Sequence, residues 1–417
     1  MDIDSNNDSY VSFKYVKSNK RMLLGNISLF AAILIITTAC FHMYSWYSIM
    51  APYGTLIAAV FLIITFFCYV DIKDALKDKY FYMMAVADIL ALIHLLVLRS
   101  NMGAILTVAD FLLVLYLSDK ITLSKPEVII SAVYIGIFFL YWTIDVKGYF
   151  KGYNTNYGGL VLLSGFVFLI YAYELMMKEC GAKLLDACDK SAKKNKAIYI
   201  FLRLVELFLF AMAYNIIAWY RSRCALMGLV FFTLLFVIPR KVWKNKVFYW
   251  VVTLGGTVGA VLFSLLYVWL GNMKDVFTVR LFYKDILSGR EEIWKELWGE
   301  FIKKPITGIG SSYEIKLDWM GGIFEVHSGL LDILIVHGTV VFLVTIILLI
   351  RNLLALHEKV SDNYMCKVAA CGIFGMLAAA FIENYIIVAP FSLMLLVLFS
   401  YVNSRNSGTG GRFFGPC

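Results

Sequence analysis

Arg223, Arg290 and His327 are the residues whose types and positions point most directly to chemistry. An arginine presents five N–H donors in a planar fork that matches phosphate oxygens, and it stays charged at every physiological pH. Arg290 follows Gly289 at the head of a stretch in which Ile293, Trp294, Leu297, Trp298 and Phe301 recur at helical spacing. Glu291–Lys295 and Glu300–Lys304 are i,i+4 pairs within it. Ser288 and Glu291 have the spacing of a capping box, and Pro305 supplies a stop. The pattern predicts an amphipathic helix over 289–304. Its N-terminal N–H groups, with Arg290 in the first turn, form a site that attracts phosphate. A Gly-rich turn with Gly308 and Gly310 follows, and His327 and Ser328 stand at the mouth of the next apolar stretch. A lone histidine there reads as a solvated loop residue. Its proximity to the segment bearing Arg290 makes it a candidate general base. One arginine at the end of an apolar helix reads as an interfacial side chain. Arg221 and Arg223, two residues apart, call for an anionic partner such as a diphosphate or a phospholipid headgroup.

The elements that position these residues belong to a membrane protein. The chain has 417 residues, of which 61% are hydrophobic and 16% charged, against about a quarter charged in soluble domains. Apolar runs long enough to span a bilayer recur along it. They predict an all-α polytopic fold with about twelve transmembrane helices, near 22–40, 53–70, 80–98, 102–118, 127–143, 159–177, 197–216, 224–239, 247–270, 328–350, 366–382 and 385–402. The organisation expected is a tail over 1–21, nine spans within 22–270, a large loop over 271–327, three spans within 328–402 and a tail over 403–417. The net charge of +9 sits mostly in short segments between spans, which reads as topology rather than as nucleic-acid binding. Among the short loops of the opposite face, Arg99, Lys147, Lys151, Arg221 and Arg223 are the bases. This bias predicts both termini in the cytoplasm and the Arg290/His327 loop outside, in a multi-pass protein of the cytoplasmic membrane. The outer loops also hold an aromatic belt around residues 41–54 and the pair Asn154 and Asn156.

Other signals are weaker. Asp88, Asp110, Asp332, Arg203 and Glu206 fall within spans, where ionisable groups normally face a bundle interior. Arg203 and Glu206, three residues apart, can neutralise each other. His337 reads as a packed intramembrane side chain. Asp2-x-Asp4 lies in the inner tail, away from everything else. The eight cysteines are scattered without a CxxC pair, which predicts no disulfide framework and no zinc site. No P-loop, HExxH, GxSxG or dinucleotide fingerprint is present.

Taken together, the motifs resemble those of the O-antigen ligase/polymerase superfamily of bacterial membrane glycosyltransferases. Ser222-Arg223-Cys224-Ala225 is similar to its SR-x-A stretch. Gly289-Arg290, Trp294, Phe301, Pro305 and Gly308-Ile309-Gly310 resemble its R…W…P-x-x-G-x-G pattern, and His327-Ser328 through Gly338 its H-N…G stretch. The chain departs from the family in having Ser328 after the histidine, and in Asn154-Thr155-Asn156 where an Asn-Pro-Asn is sometimes found.

The resemblance implies a GT-C-like enzyme that needs no cofactor or metal. It would take a glycan from a polyprenyl-diphosphate carrier and attach it to a sugar hydroxyl, inverting the anomeric centre. Arg223, Arg290 and His327 would be catalytic. Arg221, Asn154, Asn156, Gly308, Gly310 and Ser328 would bind substrate. Expected partners are the lipid-linked oligosaccharide, membrane lipid, a flippase and a chain-length regulator, with no nucleic acid. A polymerase of capsule, exopolysaccharide or O-antigen repeats is the favoured reading. A ligase passing finished glycan to another acceptor, an enzyme attaching glycan to a protein or cell-wall polymer, and a twelve-span polysaccharide or solute transporter remain alternatives.

Overall fold

The computed structural model describes residues 20–42, 44–98, 100–144, 155–186, 192–273, 280–281, 284–285, 289–317, 320–322 and 326–404. In chain order the elements begin with α1 (Lys20–His42), α2 (Tyr44–Tyr69), α3 (Ile72–Ala75), α4 (Lys79–Val97), α5 (Met102–Leu117), α6 (Lys125–Ile144), α7 (Thr155–Asp186), α8 (Ala192–Trp219) and α9 (Arg223–Val237). After α10 (Arg240–Trp243), α11 (Lys246–Thr257) and α12 (Gly259–Gly271) comes a polar interval. It holds the two-residue strands β1 (Arg280–Leu281) and β2 (Lys284–Asp285), the helix α13 (Arg290–Lys303), and the strands β3 (Ile315–Leu317) and β4 (Met320–Gly322). The chain ends with α14 (Gly329–Ala355), α15 (His357–Asp362), α16 (Tyr364–Ala379) and α17 (Phe391–Ser404).

This is an all-α polytopic membrane protein. Six described helices are long and apolar enough to cross a membrane, α11 and α12 would make a further span as a bent pair, and five shorter apolar helices accompany them. Every predicted span carries a helix, with three differences. The stretch 247–270 is bent by 58° where α11 meets α12. The last predicted span begins six residues late, at Phe391, because 380–390 forms turns. The polar interval adds two small antiparallel ladders, β1–β2 and β3–β4, to its expected helix.

Polar side chains mark the helix starts. Asp71, Asp78, Asn101, Asn245 and Asn363 each accept a backbone N–H from the first turn of the helix they precede, satisfying a donor that has no partner within the helix. The centre of the bundle is α16 and α17, buried along almost their whole length. Small residues let helices approach there: a Cβ on Gly228 of α9 would lie 2.8 Å from the Gly375 carbonyl of α16. At the periphery, α8 exposes Phe201, Leu204, Leu207 and Phe208, the apolar outer face of a helix that meets lipid. Arg351 pairs with Asp119, and Lys120 lies 3.9 Å from Asp78, which ties together the ends of α4, α5 and α14 opposite the polar interval.

Candidate active site

Glycine rather than serine starts α13. Gly289 is the N-cap with φ 83, a left-handed conformation, and Arg290 is the first helical residue. The expected capping box is therefore not the start, and Ser288 lies outside the described residues. The helix buries Ile293, Trp294, Leu297 and Phe301, as their spacing predicts. Trp294 packs at a tilt against Tyr267 of α12, with ring centroids 5.0 Å apart, and its Nε1 donates to the Val326 carbonyl at 2.6 Å. That bond brings the residue before His327 onto the helix that carries Arg290.

The α16–α17 turn completes the arrangement. Ser328 N donates to Asn384 Oδ1 at 2.9 Å, and Gly329 N donates to the carbonyls of Ala380 and Glu383 at 3.1 and 3.2 Å. The first free N–H groups of α14 are thus capped by the segment 380–384. This seats the Glu383 side chain between the two loops. Its Oε1 accepts from Arg290 Nη2 and from Asn156 Nδ2, and its Oε2 lies 3.2 Å from His327 Nδ1. Glu383 and Arg290 are both buried. Burial alone pushes the Glu383 carboxyl up. The His327 hydrogen bond, the Arg290 charge and the Asn156 amide outweigh it and hold the group below its usual range. An ionised carboxylate only accepts, so the His327 Nδ1 that faces it is a donor.

The α8–α9 turn joins through Asn156. Ser222 Oγ donates to the Asn156 carbonyl at 3.3 Å. The turn lies flat on α7 because Gly159 has no side chain; a Cβ there would be 2.2 Å from that of Ser222. Arg223 opens α9, half-buried, directly after Ser222, and Arg221 is exposed in the turn. Among the described residues, Arg221 (φ 55) and His327 (φ 53) are the two non-glycine residues with left-handed backbone. That geometry costs about 1–3 kcal/mol and gathers at functional sites.

Of the sequence-derived candidates, Arg290, His327 and Asn156 meet directly on Glu383. Ser328 adjoins through its backbone, and Arg221 and Arg223 flank the serine bonded to Asn156. Asn154 lies outside the described residues. Gly308 and Gly310 lie elsewhere, against a break in α14 at Gly338 (φ 86, ψ 171). Ile309 N and Gly310 N donate to the carbonyls of Ile335 and Val336 at 2.9 and 3.0 Å, and Thr339 N donates to Pro305 O at 2.9 Å. Ile309 and Gly310 thus supply the N–H partners of the broken helix, about 15 Å along α14 from Ser328, and Gly308 packs close against the Val336 carbonyl. Asp88 of α4 and Asp110 of α5 are close enough for their charges to interact, and His94 stacks on His337 at 6.0 Å. Among the described residues no three His, Cys, Asp or Glu side chains are grouped to hold a metal ion.

Glu383 is the residue that sequence reasoning passed over. Its one signal is position: Glu383-Asn384 is the polar dipeptide left between the last two apolar stretches, on the face that carries His327.

Comparison with known proteins agrees with this geometry. Residues 207–346 match the family model described as O-antigen ligase. The match contains Arg221, Arg223, Arg290, His327 and Ser328, whereas Asn156 and Glu383 lie outside it. No curated protein and no solved structure matches the chain. Enzymes of this family are glycosyltransferase-like, and the family implies a lipid-linked glycan substrate in a membrane. The match over residues 207–346 supports the O-antigen ligase/polymerase superfamily.

Proposed function

We propose that this protein is a polysaccharide polymerase that joins polyprenyl-diphosphate-linked repeat units at the outer surface of a bacterial cytoplasmic membrane. The observation that carries the reading is the convergence of Arg290, His327 and Asn156 on Glu383. In this reading His327 Nε2 takes the proton of an acceptor sugar hydroxyl, with Glu383 fixing the ring and its tautomer. The hydroxyl oxygen attacks the anomeric carbon from the side opposite the carrier. The new C–O bond forms as the bond to the diphosphate oxygen breaks, which inverts the centre. Arg290 and Arg223, assisted by Arg221, bind the diphosphate and stabilise the charge that develops on it as it leaves. Asn156 holds Glu383, and Ser328 seats the histidine. Both termini are cytoplasmic, and the products are capsule, exopolysaccharide or O-antigen chains, made alongside a flippase and a chain-length regulator.

The family description itself favours a second reading, in which finished lipid-linked glycan passes to a different acceptor. A complementation test separates the two. A strain lacking the protein is given wild type, Arg223→Ala, Arg290→Ala or His327→Ala, with membrane levels checked and lipid-linked glycans sized. Single repeats left on the lipid by each variant are the polymerase result. Long chains left on the lipid indicate a ligase. Chain length and transfer unaffected by all three would remove the site from the reaction.

A further inference from the structure

The C-terminal end of α13 carries an apolar pair that the active site does not use. Ile302 and Ile306 are each 70% exposed. Lys303 and Lys304 stand between them, with the Lys303 side chain largely solvent-accessible beside Glu300. Two isoleucines bare to water at one helix end are unfavourable, so what surrounds them is informative.

On one side is α14. Pro305 O accepts from both Thr339 N and Thr339 Oγ1, at 2.9 and 2.7 Å. Leu343 and Ile347 follow Thr339 on the same helix face, and both are exposed. Their neighbours on the opposite face are buried, so this stripe is the lipid-facing side of α14. Toward the site, residues 329–338 are buried apart from the half-buried Asp332. On the other side is α4. Ser311 Oγ accepts from Asn101 N at 2.6 Å, and Ser311 N donates to Ser100 Oγ at 3.1 Å. The last turn of α4 exposes Leu96 and Val97. The stretch 302–311 is therefore tied at Pro305 to α14, beside its Leu343/Ile347 stripe, and at Ser311 to the turn that follows the exposed Leu96/Val97 end of α4.

We propose that the segment Ile302–Ile306 is seated in the interfacial layer of the bilayer on the Glu383 side, its isoleucines among acyl chains and its two lysines at lipid phosphates. Continuity with the Leu343/Ile347 stripe and the Leu96/Val97 end selects lipid as the occupant. Lysines beside buried aliphatic side chains, with stems in the apolar layer and ammonium groups at the headgroups, are the chemistry of such an anchor. The consequence for the enzyme rests on the reading above: α13, about 21 Å long, is held at one end by Arg290 on Glu383 and at the other by the membrane. That fixes the height of Arg290 above the leaflet that carries a lipid-linked diphosphate.

The test uses the full chain in nanodiscs of phosphatidylethanolamine and phosphatidylglycerol, with a phospholipid bearing a diazirine on its acyl chain. Photolysis is followed by peptide mapping, with Leu343 and Ile347 as the internal lipid-facing reference. The expected result is carbene adducts at Ile302 and Ile306 in similar yield to the reference. A water-soluble diazirine should leave both unlabelled. Labelling by the water-soluble reagent alone, as for a solvated loop, overturns the proposal. So does labelling by neither reagent, as for a surface covered by protein. The readout needs no glycan transfer, so failure of the polymerase reading would leave it standing.

Discussion

His327 Nδ1 lies 3.2 Å from Glu383 Oε2, while Arg290 donates to the other oxygen of the same carboxylate. One acidic side chain thus orients the candidate base and holds a candidate diphosphate-binding arginine. Replacing Glu383 by Gln keeps the size but removes the charge that pairs with buried Arg290 and turns one of the two acceptor oxygens into an NH2 donor, so the Arg290 and His327 contacts cannot both be kept. Glycan transfer in membrane vesicles should fall on the order of 10²–10⁴-fold. Glu383→Asp keeps the charge but shortens the reach, and its loss should be smaller. A Glu383→Gln protein at normal membrane level with an unchanged rate would show that the carboxylate takes no part.

The pH dependence of stability has a defined sign. The Glu383 carboxyl is held below its usual range, and an unfolded glutamate titrates near about 4.3. Its contribution is therefore complete above about pH 4.3 and is lost as pH falls through the lower, folded value. Thermal unfolding of the purified protein in detergent should show wild type more stable than Glu383→Gln at pH 7, with the gap constant down to about pH 5. The two should converge in more acidic buffer. A gap that keeps its neutral-pH size in strong acid would count against the ionised, paired state.

Gly308 and Gly338 interlock the turn after α13 with the break in α14. A Cβ on Gly338 would lie 2.2 Å from the Ile306 carbonyl, and one on Gly308 would lie 2.5 Å from that of Val336. Both residues also have left-handed backbone. Gly308→Ala and Gly338→Ala should each cost at least about 1–3 kcal/mol, seen as lower melting temperature and lower membrane level. Gly299→Ala is the control. Nothing lies within 4 Å of a Cβ there, and alanine in the helix interior should be neutral or stabilising by up to about 1 kcal/mol.

Far from the site, Arg203 of α8 bridges Glu174 of α7 and Glu206 of its own helix, and Tyr364 OH donates to Glu174 Oε1 at 3.0 Å. Both carboxylates are buried. Arg203→Met leaves two like charges together without a counter-ion, which should cost about 3–5 kcal/mol. Adding Glu174→Gln and Glu206→Gln should restore most of that in a detergent melting assay. If the single substitution is silent, the cluster does not hold α7 to α8. Transfer activity in the triple variant should stay near wild type, since none of the three residues touches the Glu383 site.

The bundle was legible in the chain because its signals are local. An apolar run of spanning length can satisfy its backbone in lipid only as a helix, and each predicted stretch carries one. The buried stripe of α13 follows from side-chain spacing, and Arg290 in its first turn follows from that stripe and the stop at Pro305, whereas the start at Gly289 in place of the Ser288 capping box came from the structure. Boundaries were less legible where geometry overrides composition: the bend between α11 and α12 lies within an apolar run, and the apolar residues 385–389 belong to the turns before α17 rather than to the helix. The site itself depends on contacts between distant parts of the chain. Glu383 is 93 residues from Arg290, 56 from His327 and 227 from Asn156, and no spacing rule reaches so far. The resemblance implies substrate binding by Gly308 and Gly310, while packing sets the turn they belong to against the Ile335 and Val336 carbonyls at the break in α14. Sequence marks helices and their charged ends because those obey the periodicity of one segment. Folding chooses which ends share a carboxylate, because that depends on how separate helices pack.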